Sequence, residues 1–210
     1  ESFDCDFAIW TEGDRRGGAW KDFAAANADR TIFKPGEIEE AQAMAAAVRS
    51  SPLVAPYLAE GIFEATLEWT DAESGIRCKG RTDWLVPSRR TLIDLKTAVS
   101  INERKFTYAA ARYLYHGQLA HYAAGVEAAL GWRPERVAIV VVEKVAPYDV
   151  GVFELDPDGA LYAGEELRRE LLAKLKVCIE TDKWPGRYPE ARVLELPAWA
   201  FGDDPEEVPL

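Results

Sequence analysis

The chain has 210 residues, 48% of them hydrophobic, with seven tryptophans and a formal net charge of −11. This composition excludes a disordered chain, and no apolar run is long enough to cross a bilayer. The length suits one α/β domain over residues 1–210 rather than two small ones.

The polar, glycine-marked stretch from Glu1 to Gly18 reads as a loop. It leads into a helix over Ala19–Ala28 and a second helix opened by Pro35, with Ile38, Ala41, Ala45 and Val48 as its inner stripe. These elements make residues 1–51 an N-terminal helical part. Because the chain starts at Glu1 without Met, a piece upstream of that part is expected. Pro52–Leu58 allows one or two further helical turns.

A strand follows over Ile62–Thr70, alternating Phe63, Ala65, Leu67 and Trp69 on one face with Glu64, Thr66 and Glu68 on the other. The turn Asp71–Gly75 leads into a hairpin. Its strands are Ile76–Val86 and Thr91–Thr97, joined by Pro87-Ser88-Arg89-Arg90. Residues two apart share a strand face, so Lys79, Arg81, Asp83 and Leu85 are expected together on the first strand. Leu92, Asp94 and Lys96 are expected together on the second.

A helix is predicted from about Arg104, with a break near Tyr113–Gly117. Tyr115, Gln118, Leu119, Tyr122 and Val126 then form one face, and Gly131 is the C-terminal cap. Val137–Val145 reads as a buried strand with Gly151–Leu155 as its neighbour. A long helix from Ala160 to about Thr181 follows, with Leu167, Leu171, Leu175 and Cys178 turned inward. Residues 183–210, with Trp184, Tyr188 and Trp199, read as an irregular tail. The architecture expected is a mixed sheet of about five strands flanked by helices.

Cys5, Cys78 and Cys178 lie far apart, without a C-x-x-C pair, and read as free thiols in a reducing cytoplasm. Three cysteines exclude an iron–sulphur cluster on four.

The chemistry concentrates in the hairpin. A carboxylate in an apolar strand is costly unless paired or bound to a cation. Asp83 and Asp94 on adjacent strands, with Glu64 one strand earlier, would suit Mg²⁺, which sits on one or two carboxylates plus waters and a substrate phosphate. Lys96 would bring an ammonium to the attacking water or scissile phosphate. Each residue has a plainer reading. Asp83 could pair with Arg81 or Arg90, Glu64 and Glu68 are alternatives for one role, and Gln118 and Tyr122 could be core residues. His116 and His121 are about 140° apart around a helix, so one ion cannot take both.

The overall charge speaks against a nucleic-acid partner, yet nine basic and three acidic residues lie between Arg77 and Arg112. Arg77, Lys79, Arg81, Arg89, Arg90, Arg104 and Lys105 are candidates for backbone contacts.

The segments Glu64–Trp69, Gly75–Asp83, Ile93-Asp94-Leu95-Lys96-Thr97, Tyr115–Tyr122 and the tail pieces Thr181–Pro185 and Leu196–Ala200 together resemble the PD-(D/E)XK nuclease superfamily. They are most similar to the RecE-type (exodeoxyribonuclease VIII-like) phage and prophage exonucleases. The resemblance covers most of the chain from about Pro52. It implies that Asp83, Asp94, the Leu95 carbonyl and Glu64 bind metal, that Lys96 is the catalytic lysine, and that Gln118 and Tyr122 support them. Thr82 stands where the superfamily is named for proline. No histidine precedes His116, although RecE-type enzymes carry one on an upstream helix.

By the same resemblance the protein is a Mg²⁺-dependent exodeoxyribonuclease, with Mn²⁺ as substitute, acting on linear double-stranded DNA in the 5′→3′ direction. A ring-like homo-oligomer and a single-strand annealing partner in recombination are also implied. The alternatives are a non-catalytic nucleic-acid-binding or assembly subunit, and a carboxylate-pair glycosidase, which Lys96 and the basic band disfavour.

Overall fold

Three consecutive strands, β3 (Ile62–Thr70), β4 (Arg77–Val86) and β5 (Thr91–Ala98), form the meander that the alternating pattern predicts. The computed structural model describes residues 7–188, 190–197 and 200. Cys5, Trp199 and the end of the tail lie outside the described residues.

Two more strands complete a five-stranded sheet, β6 (Arg136–Glu143) and β7 (Val150–Glu154), in the order β3-β4-β5-β6-β7. Only β5 and β6 run parallel, and the connection that this requires is α4 (Glu103–Arg112) and α5 (Tyr115–Leu130). The break between these helices falls at Leu114, in the left-handed region at φ 57°, and Gly131 caps α5 at φ 75°.

Each sheet face has its own core. On one, Leu85, Leu92, Val137, Ile139 and Val141 pack with Leu119, Ala123 and Val126 of α5. On the other, Trp84, Val86, Ile93, Val140 and Val142 pack with Val48 of α2 (Glu37–Ser50) and with Val54 and Tyr57 at α3 (Ala55–Leu58). The long apolar run of β6 is thus explained: it is buried on both faces.

Before the sheet, α1 (Gly17–Ala26) lies between two three-residue strands, β1 (Phe7–Ile9) and β2 (Thr31–Phe33), which pair in parallel. The expected loop over Glu1–Gly18 therefore contains a strand.

The chain divides into two compact units, residues 1–172 and 173–210. The first carries the sheet and the start of α6 (Tyr162–Thr181), where Gly164 and Leu172 are buried and Leu171 is exposed. In the second, α6 ends and the described residues beyond it form no α-helix or strand. There Leu175 is exposed and Cys178 is half-buried. The expected inward row of Leu171 and Leu175 is thus corrected: Leu161, Gly164 and Leu172 supply the buried contacts instead.

No helix among the described residues is long and apolar enough to cross a membrane.

Candidate active site

The β4–β5 ladder holds only three pairs, from Val86↔Thr91 to Trp84↔Ile93. Its next position would join Asp83 to Asp94, and there the strands part. From that point β4 continues on β3, while β5 continues on β6 as far as Ala98↔Glu143. Asp83 fills the fork, and its Oδ2 accepts the N–H of Leu95 at 2.8 Å.

Asp94 is 1% exposed, although it is a carboxylate. Burial pushes its carboxyl above the ordinary value of 3.8. Lys96 opposes that rise, and the charge of nearby Asp83 adds to it. Lys96 Nζ lies 2.6 Å from Asp94 Oδ2, a charge-assisted contact. Oδ1 has no hydrogen-bond or ion-pair partner among the described residues. Such an oxygen is costly to bury. The ammonium of Lys96 also sits 4.9 Å from the ring centroid of Tyr115, at the start of α5. Tyr115 was legible only as the first member of the α5 stripe.

Glu64 stands opposite Asp83, between the pairs Phe63↔Trp84 and Ala65↔Thr82, but its backbone is left-handed at φ 54°. Its carboxylate pairs with Arg81 Nε at 2.8 Å. At this level the strand alternation breaks. Ala65, Leu67, Trp69 and Cys78 pack toward α5, whereas Phe63 lies against Trp84, which packs toward α2. The expected single face for Phe63, Ala65, Leu67 and Trp69 is therefore corrected. So is the face shared by Lys79, Arg81, Asp83 and Leu85: Leu85 lies in the α5-side core, while Lys79 is exposed and paired with Glu68.

The break opens a cavity of about 870 Å³ lined by Phe63, Glu64, Asp83, Trp84, Leu95 and Thr97 with residues of α2. Gly61 makes room for the Trp84 indole, since a Cβ there would lie 1.8 Å from Nε1.

Thr82, at the proline position, is fully buried, and its hydroxyl donates to Ala65 O at 3.4 Å. Gln118 Nε2 donates to Tyr122 Oη at 3.1 Å, and the Tyr122 ring covers Gly80, so these two engage each other and β4. His121 packs on Trp69 with centroids 4.7 Å apart, and its burial lowers its pKa.

Among the described residues no group of three or more His, Cys, Asp or Glu side chains is placed to hold a metal ion. Two carboxylates are gathered, Asp83 and Asp94, and Glu64 is turned to Arg81. A hard divalent cation needs no more than two carboxylates when waters and phosphate complete its shell, and the partnerless Asp94 oxygen fits such an ion.

A mixed sheet forked at an acidic pair, with a lysine two residues beyond the second acid, defines the PD-(D/E)XK class of nuclease-type folds. The chain belongs to the family described as a PDDEXK-like domain of unknown function (DUF3799), whose model matches residues 14–196. Among solved structures it is similar to a Eubacterium rectale protein provisionally designated an exonuclease, with a TM-score of 0.57 at 17% identity. That match covers 85% of this chain and 71% of the other. A phage-related exonuclease from Haemophilus somnus 129PT matches at a TM-score of 0.42 and 13% identity, over 71% of this chain and 76% of that one. The first likeness shows the fold, and the second carries no argument. No curated protein matches the chain.

Proposed function

We propose that the protein is a metal-dependent deoxyribonuclease that hydrolyses phosphodiester bonds, as an exonuclease on linear double-stranded DNA in the 5′→3′ direction. The observation that carries this reading is the fork, where Asp83 and the buried Asp94, whose Oδ1 has no partner among the described residues, meet the ammonium of Lys96. In this reading Asp83, Asp94 and the Leu95 carbonyl hold Mg²⁺, or Mn²⁺ in its place. When bound, the cation supplies charge to the scissile phosphate and acidity to a water. Lys96, drawn from Asp94 toward the phosphate, stabilises negative charge there. Glu64 joins the site by leaving Arg81, and Gln118 and Tyr122 brace β4 from α5. A cytoplasmic role in phage-type recombination, as a ring-like homo-oligomer beside a single-strand annealing protein, completes the proposal.

The test is loss of end-labelled linear duplex DNA with Mg²⁺, compared with EDTA, with closed circular DNA and with Lys96→Ala. Release of the 5′ label first, with none in EDTA or in the variant, supports the reading. Equal activity in Lys96→Ala, or activity without a divalent ion, overturns the mechanism, and release of the 3′ label first overturns the polarity. The competing reading, a non-catalytic binding subunit, draws on the pairing of Glu64 with Arg81. Binding of DNA without cleavage would establish it.

A further inference from the structure

The basic side chains nominated from the sequence separate by their partners. Lys79, Arg81, Arg89 and Arg90 are held by Glu68, Glu64, Glu60 and Glu135. Their charge is largely neutralised before any polyanion arrives. Arg104 and Lys105 on α4 make no ion pair among the described residues, nor does Lys144, just beyond β6. The backbone N–H of Lys144 donates to Ala98 O at 2.8 Å, which holds it beside the end of β5.

Lys105 and Lys144 line a cavity of about 440 Å³ whose walls also include Thr97, Tyr113 and Tyr115, and the Tyr115 ring lies beneath the Lys96 ammonium that pairs with Asp94. Lys105 in turn lines another, of about 860 Å³, with Asn102, Arg104 and Tyr108.

Aromatic rings follow the same course. The Tyr115 ring under Lys96 stacks on Tyr113 with centroids 5.8 Å apart and planes 26° from parallel. Tyr113 is 62% exposed and Tyr108 71% exposed. Phe106, buried in the α5-side core, anchors α4 so that Tyr108, two residues on, faces outward.

Unpaired cations serve any nucleic acid, whereas bare ring faces beside them serve bases that are not already stacked in a duplex. We infer that the exposed side of α4 and the α4–α5 junction form a track for single-stranded nucleic acid running to the acid pair. Tyr108 and Tyr113 stack bases along it, and Arg104, Lys105 and Lys144 contact its phosphates. The track deepens the nuclease reading and takes its endpoint from it, but its binding chemistry needs neither the metal nor Lys96.

The test is fluorescence anisotropy of fluorescein-labelled oligo(dT) of about 20 nucleotides in EDTA, a length that spans one or more sites of this kind. The double variants Tyr108→Ala/Tyr113→Ala and Lys105→Ala/Lys144→Ala are each expected to weaken binding about tenfold or more. The lysine variant also flattens the salt dependence by about 0.7 per charge removed. Thermal melting of both variants stays at the wild-type value, because all four side chains are exposed. Binding of blunt duplex of equal length is weakened less than binding of oligo(dT) by Tyr108→Ala/Tyr113→Ala. Wild-type affinity for oligo(dT) in both variants, or equal weakening of duplex binding by the tyrosine variant, overturns the track. Loss of oligo(dT) binding in the variants of a protein that never cleaves DNA would remove the nuclease reading and leave the track standing. Cleavage by a wild type whose variants bind normally would do the reverse.

Discussion

The Oδ2 of Asp83 takes the N–H of Leu95 at 2.8 Å, across the point where β4 and β5 separate. A side chain thus closes a hydrogen bond that strand pairing has ceased to supply, and the same carboxylate faces Asp94. Structural and chemical roles can be separated here by two substitutions. Asp83→Asn keeps a carbonyl oxygen for Leu95 and is expected to cost a few tenths of a kcal/mol, whereas Asp83→Ala leaves an exposed N–H to water and costs about 1 kcal/mol. Under the proposed metal site Mg²⁺ is expected to raise the melting temperature of the wild type, and both variants are expected to lose that rise. Thermal melts with and without Mg²⁺ check this, and a Mg²⁺ shift in either variant contradicts it.

Asp94 makes a prediction of opposite sign. Its folded pKa is raised above 3.8, so the fold favours the protonated acid. That preference contributes fully below pH 3.8 and is lost as the pH rises through the folded pKa. Without metal, ionising this buried acid therefore costs the wild type stability that a neutral amide would not cost. Asp94→Asn should melt at or above the wild-type temperature without metal, gain nothing from Mg²⁺, and lose DNA cleavage by about 10²-fold or more. A variant much less stable than the metal-free wild type would contradict this.

A second acid behaves in the ordinary way. Asp71, 6% exposed, is raised by its burial but lowered more strongly by hydrogen bonds from Ser74 and Arg168, which bring it down to about 2. Its folded pKa lies below the ordinary value of 3.8, so its contribution is complete above that pH and is lost as pH falls toward 2. The loss is at most about 2.5 kcal/mol. Denaturant melts between pH 5 and 2 should show this fall in the wild type and a flatter profile in Asp71→Asn. Arg168→Ala, which strands the buried carboxylate, should cost about 3 kcal/mol or more at pH 7.

Gly61 offers a steric test. A methyl at this position meets the Trp84 indole, so Gly61→Ala is expected to destabilise by about 1–3 kcal/mol and to displace the ring that walls the acid cavity. Trp fluorescence and urea melts report the two effects together. Unchanged emission and stability would show that the indole gives way freely.

Much of the sheet was legible because burial imposes a period on the residues. β3 was predicted over Ile62–Thr70 and is found there, and the hairpin and the break between α4 and α5 lie within a residue or two of expectation. The strands Phe7–Ile9 and Thr31–Phe33 are too short to show any period, and they pair across an intervening helix. The change of face at Glu64 was invisible for another reason. Alternation assumes an unbroken extended backbone, and nothing in Phe63-Glu64-Ala65 announces a left-handed residue between two extended ones. At the candidate site, the acids and Lys96 could be read from their spacing in an apolar strand. The pairing of Glu64 with Arg81, and of Lys79, Arg89 and Arg90 with their glutamates, depends on neighbours across strands and loops that one-dimensional charge counting cannot resolve.

Asp94 has Ile139 as its register partner on β6, and β6 alone accompanies β5 along its whole length. A scan of substitutions would then find the proposed activity sensitive to the bulk of the buried aliphatic run Val137–Val142 of β6. Ile139→Ala would move the acid by leaving a hole beside it, and Ile139→Phe by crowding it. Sensitivity to mutation in this protein will therefore map onto what steadies the second acid as much as onto what reacts.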